Sequence, residues 1–222
     1  MKTGRFKSAI FDMDGTLIDS MGIWKDIAEE SFKENGLDVP AEFEHKIFSM
    51  TFSQSAEYCI KMADLDIDPD DLVAEWNYKA LEYYNTDIPL KPYAVEFIEY
   101  LRGLGMTISL TTSNFYDVAK SLLERKGISE LFDSLTSTQE VTRSKLYPDV
   151  FLLSSERLGT QPSGCIVFED SYTSVIGAKR AGMYVVGVFD KYAAFAEDMI
   201  RYKSDRYILS FSELLNDDAF FA

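Results

Sequence analysis

The chain predicts an α/β fold: a parallel sheet with helices on both faces, plus an inserted all-helical block. Three observations carry that expectation. From Pro92 onward, short apolar runs alternate with helical patterns, as βαβ units do. Before that, about seventy residues show helical periodicity without a strand pattern, a plausible size for a small domain. Ahead of both stands the run Ala9-Ile10-Phe11, whose unbroken apolar character suits a strand buried on both faces. The expected division is a core of residues 1–18 and 89–222 and a helical domain of residues 19–88.

Each element has a local reason. Ile23, Trp24, Ile27, Ala28 and Phe32 recur at helical spacing, and Asn35-Gly36 closes that helix. Phe43, Ile47 and Phe48 suggest a short second helix after Pro40. Ser53 to Met62 reads as a third, with Ser53 as N-cap. Asp68-Pro69-Asp70-Asp71 opens a fourth, running to about Tyr84, with acids where the helix dipole favours them. Hinges are expected near Asp19-Ser20 and between Asn85 and Pro92.

Val95, Phe97, Ile98 and Leu101 then mark an amphipathic helix ending at Gly103 to Gly105. Met106 to Leu110 is a strand, followed by a helix that stops at Lys126-Gly127. A strand near Leu135, a helix from Pro148-Asp149 to Leu158-Gly159 and a strand Cys165 to Phe168 come next. Helix Thr173 to Ala181, strand Tyr184 to Val188 and a last strand near Tyr207-Ile208-Leu209 complete the alternation.

Composition narrows the partners. The 22 basic residues against 37 acidic ones give a formal net charge of −15, which argues against nucleic acid or an anionic membrane surface as a partner. Cys59 falls in a helical pattern and Cys165 heads an apolar run; both read as buried thiols, suiting a reducing, cytoplasmic setting. No signal peptide or membrane span is visible.

Polar residues collect where strands end. Asp12 and Asp14 follow the first strand, Thr112-Ser113-Asn114 the second, and Glu169-Asp170-Ser171 the fourth, while Lys145 precedes a helix. In a parallel sheet these ends lie along one edge. Any one of them alone is a capping cluster, an exposed lysine or an acidic turn; together they form a site. Asp12 and Asp14 repel each other unless a cation or a shared proton intervenes, and Mg²⁺, which takes oxygen ligands, is the natural cation. The set suits phosphoryl transfer, with Asp12 as nucleophile and, with Asp170, metal ligand. Thr112 and the amides after it receive phosphate oxygens, Lys145 supplies a point charge, and Asp14 serves as general acid and then base.

These motifs resemble the haloacid dehalogenase superfamily, in the branch with a helical cap inserted after the first strand. Asp12-Met13-Asp14-Gly15-Thr16 matches its first motif, Thr112 the second, Lys145 the third and Glu169-Asp170 the fourth. Ala178, Ala181-Gly182-Met183 and Val186-Gly187-Val188 continue the likeness. The resemblance implies a Rossmann-like three-layer core, a cap over residues 19–88, Mg²⁺ held by Asp12, Asp14 (through its carbonyl), Glu169 and Asp170, and phosphate held by Thr112, Ser113, Asn114 and Lys145. Two departures stand out: Leu146 where a Pro is often found, and Ser174 where a Gly is usual. Both are expected to loosen the positioning of Lys145 and of the loop after Asp170.

Within that superfamily, Asp14 argues against dehalogenation, because a halide needs no proton. No cap lysine (Lys25, Lys33, Lys46, Lys61 or Lys79) lies in a motif for Schiff-base phosphonate hydrolysis. A β-phosphoglucomutase-like activity is the nearer alternative, yet Trp24 stands where those mutases place a His, and residues 21–88 contain no Arg. The expected substrate is a small phosphorylated metabolite, hydrolysed by a monomer or weak homodimer. A phospho-accepting receiver module, which lacks an inserted helical block, and a non-catalytic relative are the readings from other classes. Of the remaining residues, the loop Phe48 to Gln54 is a candidate selectivity element, His45 a solvated residue, Trp24 and Trp76 core of the helical block, and Asp19 a hinge residue.

Overall fold

The computed structural model describes residues 4–34 and 52–221, with the side chains of Trp24, Lys25, Ala28, Glu29, Ser31 and Phe52 outside that set. The helix expected after Pro40, His45 and the loop from Phe48 to Thr51 lie outside the described residues. Among the described residues, strand β1 (Ser8–Phe11) is followed by three helices, α1 (Met21–Glu34), α2 (Phe52–Ala63) and α3 (Pro69–Tyr84). Alternation then begins: α4 (Ala94–Gly103), β2 (Thr107–Thr112), α5 (Tyr116–Arg125), β3 (Ser134–Ser137), α6 (Asp149–Arg157), β4 (Cys165–Glu169), α7 (Tyr172–Arg180) and β5 (Tyr184–Val188). Helix α8 (Glu197–Lys203), β6 (Arg206–Ile208) and α9 (Asp218–Phe221) close it.

The six strands form one parallel sheet in the order β3-β2-β1-β4-β5-β6. Residues Ser8 to Phe11 pair with Thr107 to Leu110 on one side and with Cys165 to Phe168 on the other. Strand order therefore reverses between β1 and β4, the position at whose carboxyl end open α/β sheets form their ligand crevice.

Alternation along each strand feeds two separate cores. Ala9 and Phe11 of β1, Ile166 and Phe168 of β4, and Val186 of β5 pack on one face with Phe97, Leu101, Val118 and Leu122. Ile10, Cys165, Val167 and Val185 pack on the other with Val150, Phe151, Val175, Ala178 and Ile200. Since both faces are covered, the strands read as continuous apolar runs. At the centre of the first face, the Phe11 and Phe168 rings stack 4.6 Å apart and Phe97 meets Phe168 edge-on at 5.2 Å. Cys59 and Cys165 are free and buried, as expected.

Helix α3 begins as its sequence dictates: Asp68 caps it by accepting from the Asp70 amide at 2.9 Å, and Pro69 occupies the first turn. Its residues Leu72, Trp76, Ala80 and Tyr84 form a buried stripe four residues apart, and the helix packs on α1, α2 and α5. Ser53 is not a cap, because α2 starts at Phe52. Helix α8 has no counterpart in the sequence expectation; of its seven residues only Ile200 is buried, too few to register as periodicity.

The segments leading out of β1 and into α4 run side by side. Ile18 bridges Leu90, the Asp19 amide donates to the Pro89 carbonyl at 3.0 Å, and the Lys91 amide to that of Leu17 at 2.9 Å. Beyond β5, buried Asp190 accepts from Lys91 Nζ at 2.6 Å. Asp19 meets Lys191 at 3.2 Å, a largely solvated pair of the kind worth at most about 1 kcal/mol.

Two outcomes test this packing. Phe97→Ala should lower unfolding stability by about 3–5 kcal/mol in a urea titration, the usual range for truncating a buried phenylalanine. Gly177 lies inside α7, where a Cβ would sit 1.8 Å from the Lys145 carbonyl oxygen. Helix propensity alone would make Gly177→Ala stabilising by about 1 kcal/mol; the clash should instead make it destabilising by about 1–3 kcal/mol.

Candidate active site

The end of β1 positions the first acid. The Asp12 amide extends the ladder by donating to the Phe168 carbonyl at 3.0 Å, which leaves its carboxylate at the carboxyl edge beside the end of β4. The chain then turns tightly: the Leu17 and Ile18 amides both donate to the Met13 carbonyl, and the Gly15 amide donates to the Ile18 carbonyl at 2.9 Å. Gly15 has φ +83°, and a Cβ there would lie 2.3 Å from Asp170 Oδ2. The glycine thus satisfies a left-handed backbone and lets Asp170 approach. Thr16 Oγ1 completes the turn by donating to Asp170 Oδ1 at 2.9 Å.

Asp12, Glu169 and Asp170 are buried together, and one oxygen of each lies within 4.8 Å of the others. Lys145, 4% exposed, donates to Asp12 Oδ1 at 2.5 Å and to Glu169 Oε1 at 2.6 Å. Burial alone would lower its pKa, but Asp12 and Glu169 outweigh that and hold the ammonium above the usual lysine value. Burial, and then the charge of Asp12, push Glu169 up to about 8 despite its lysine partner. Asp170 rises well above an ordinary aspartate for the same reasons, with Glu169 and Asp190 adding to the repulsion. Fully ionised, the three acids would carry two negative charges beyond the one that Lys145 balances. The donor set is all oxygen, which fits a hard divalent cation.

Lys145 arrives on the loop between β3 and α6, and that loop is held from behind. The close approach of its carbonyl to Gly177 is one hold; another is Arg180 Nη1, which donates to the Leu146 carbonyl at 2.8 Å. Arg143 grips Asp149 through Nε and Nη2 at 3.1 and 2.8 Å. Around Ser174, the Ser171 and Ser174 hydroxyls bond at 2.7 Å and Ser171 caps α7. The slack expected from Leu146 and Ser174 is therefore taken up by these contacts.

Asp14 goes elsewhere. Its carboxylate is half-buried and is not one of the three-acid cluster. Oδ1 accepts from Ser20 Oγ at 2.5 Å and from the Tyr84 hydroxyl, and Oδ2 accepts from Asn114 Nδ2 at 3.1 Å. Removal from water and the Asp12 charge raise its pKa, while the three donors pull it back down. Asp12 and Asp14 are neighbours in sequence with separate sets of partners.

Thr112 is buried at the end of β2, and its hydroxyl accepts from the Asn114 amide at 2.9 Å. Asn114 Oδ1 accepts from the Phe115 amide at 2.8 Å, and the Tyr116 amide is taken by Gln139 Oε1 at 2.9 Å. The amides of residues 114–116 thus already have partners, so Asn114 is brought to Asp14 and to its own helix start. The Ser113 side chain is exposed. Sequence reasoning missed Ser20, Tyr84, the Thr16 bond and Gly177. For Gly177 a signal existed, since a glycine inside a predicted helix asks for a packing reason; Tyr84 offered none.

Comparison with known proteins supplies the family. Residues 9–188 match the family described as haloacid dehalogenase-like hydrolase. The chain is 28% identical to the fructose-1-phosphate phosphatase of Escherichia coli (strain K12) over 83% of its length and 97% of that protein. It is 29% identical to the validoxylamine A 7'-phosphate phosphatase of Streptomyces hygroscopicus subsp. limoneus, over 82% and 85%. Among solved structures, the β-phosphoglucomutase of Clostridium difficile superposes with TM-score 0.80 at 20% identity, covering 96% of this chain and 95% of that one. With the match spanning the sheet from β1 to β5, the chain belongs to the haloacid dehalogenase-like hydrolases.

Proposed function

We propose that this enzyme, a phosphoric monoester hydrolase, acts on a small phosphorylated metabolite of the sugar-phosphate type through an aspartyl-phosphate intermediate. One observation carries the reading: Asp12 and Asp14, two residues apart, keep different company. Asp12 lies against Lys145 and the acids of β4, while Asp14 lies among three hydrogen-bond donors. Two carboxylates in contrasting environments suit a nucleophile and an acid–base pair of roles.

In the first step a carboxylate oxygen of Asp12 bonds to phosphorus. The bond from phosphorus to the leaving oxygen breaks with its electron pair, and Asp14 gives that oxygen its proton. Water then attacks phosphorus, Asp14 takes a proton from it, and the phosphorus–Asp12 bond breaks to restore the carboxylate. Lys145 orients Asp12 and meets charge developing on the phosphoryl oxygens, which Thr112 and Ser113 also receive. Mg²⁺ fits the site: Asp12 and Asp170 would hold it, with Glu169 beside them and the Asp14 carbonyl as a further ligand. When bound it offsets the surplus carboxylate charge and that of the phosphoryl group.

Residues 19–88 are proposed to act as a cap that excludes bulk water and selects the leaving group. Phosphatase relatives that align over more than four-fifths of this chain support hydrolysis. The likeness to a β-phosphoglucomutase keeps phosphosugar transfer as a second reading, against which stands the absence of Arg in residues 21–88. No helix among the described residues is long and apolar enough to cross a membrane, and buried free thiols suit a reducing, cytoplasmic setting.

Asp12→Asn should lower phosphate release from p-nitrophenyl phosphate by about 10⁴-fold or more. Undiminished turnover would exclude the nucleophilic role. Chelation with EDTA should abolish turnover and added Mg²⁺ restore it. A screen of sugar phosphates and nucleotides identifies the substrate, and interconversion of hexose 1- and 6-phosphates in the same assay would favour the mutase.

A further inference from the structure

We infer that Tyr84 is a positioning residue for proton transfer, through which helix α3 controls the aim of Asp14. The inference rests on the proposed acid–base role of Asp14 and adds a residue outside the motifs that define the site.

Tyr84 is the last residue of α3 and 2% exposed, seventy residues from Asp14 in sequence. It ends the buried stripe Leu72, Trp76 and Ala80, so its ring is held by the same packing that seats the helix. The hydroxyl donates to Asp14 Oδ1, the oxygen that Ser20 also reaches, while Asn114 occupies Oδ2. These donors come from three parts of the chain: Ser20 from the segment after β1, Asn114 from the loop after β2, and Tyr84 from α3.

Two donors at Oδ1 and one at Oδ2 fix the plane of the carboxyl group; without the tyrosine, Oδ1 keeps only the Ser20 hydroxyl, on the segment leading out of β1, and the group loses the donor that is seated by helix packing. Aim matters for a proton donor, since a displacement of about 1 Å can cost about 10²-fold in rate. Tyr84 suits this work because an aromatic side chain has two torsions and loses little freedom when packed. The end of α3 is also tied to the core. Lys126 donates to Asp87 at 2.6 Å, Arg125 to Asn85 Oδ1 at 3.1 Å, and α3 packs on α5. Seating of that helix and alignment of Asp14 are thus one event. An enzyme whose helical block is displaced retains its nucleophile but loses an anchor of its acid.

The experiment exploits the leaving group. Departure of p-nitrophenolate needs no proton, whereas departure of an alkoxide does, and kcat/KM reports only steps up to the first irreversible one. For Tyr84→Phe, which removes only the hydroxyl, kcat/KM should fall about 10-fold with glycerol phosphate or a hexose phosphate. With p-nitrophenyl phosphate it should stay within about twofold of the parent enzyme. Equal losses on both substrates, or none on either, would overturn the inference. A Phe variant unable to fold would overturn it as well, by making the hydroxyl a structural necessity. A parent enzyme that releases phosphate from neither substrate would sink the hydrolase reading itself, a separate outcome.

Discussion

Charge crowding at the end of β1 is the constraint around which the molecule is arranged. Two unit charges 4 Å apart interact by about 4 kcal/mol at an effective dielectric of 20. One oxygen each of Asp12, Glu169 and Asp170 lies within 4.8 Å of the others. Fully ionised, the trio contains three such repulsions. Lys145 touches two of its members and leaves Asp170 to the neutral hydroxyl of Thr16. One ammonium cannot balance the group, so the acids hold protons or a dication joins them, and the raised pKa values of Glu169 and Asp170 express the first alternative. Burial sharpens the cost of crowding, and the stability that offsets it comes from the two apolar cores on either face of the strands that carry the acids.

Two aspartates in one motif keep separate partners because the strand ends between them. Side chains two residues apart share a face only while the chain remains a strand. Here β1 ends at Phe11, and the turn through Gly15 carries Asp14 out of register. Its carboxylate comes to rest among donors from distant segments. This half of the site depends on the helices as well as on the sheet.

How much could be read beforehand follows from which contacts are local. The strands were legible because burial on both faces leaves unbroken apolar runs, and helix α3 because Asp68, Pro69 and the following acids are adjacent in sequence. The acids at the ends of β1 and β4 were legible for a related reason: a parallel sheet forces its strand ends to one edge. The expected role of Asp14 comes from its place beside Asp12, while its partners Ser20, Tyr84 and Asn114 lie 6, 70 and 100 residues away. No periodicity announces such pairings. Helix α8 escaped notice because a short helix with a single buried residue has no apolar stripe to detect.

Lys145 shows how a departure from a familiar pattern is absorbed. With Leu146 in place of a proline, the loop's own covalent stiffness is reduced, and its geometry must come from packing. Gly177 supplies part of that packing by leaving room for the Lys145 carbonyl, at a helix-propensity cost of about 1 kcal/mol relative to alanine. Arg180, three residues further along α7, binds the Leu146 carbonyl. Ser174, one turn earlier than Gly177, bonds with Ser171 and secures the start of the same helix. Helix α7 thus connects two parts of the site: its cap Ser171 follows directly on Asp170, and Gly177 and Arg180 further along it back the loop that delivers Lys145. A disturbance of α7 moves the ammonium and the acids relative to each other, and an ion pair with 2.5 and 2.6 Å contacts has little tolerance for such movement.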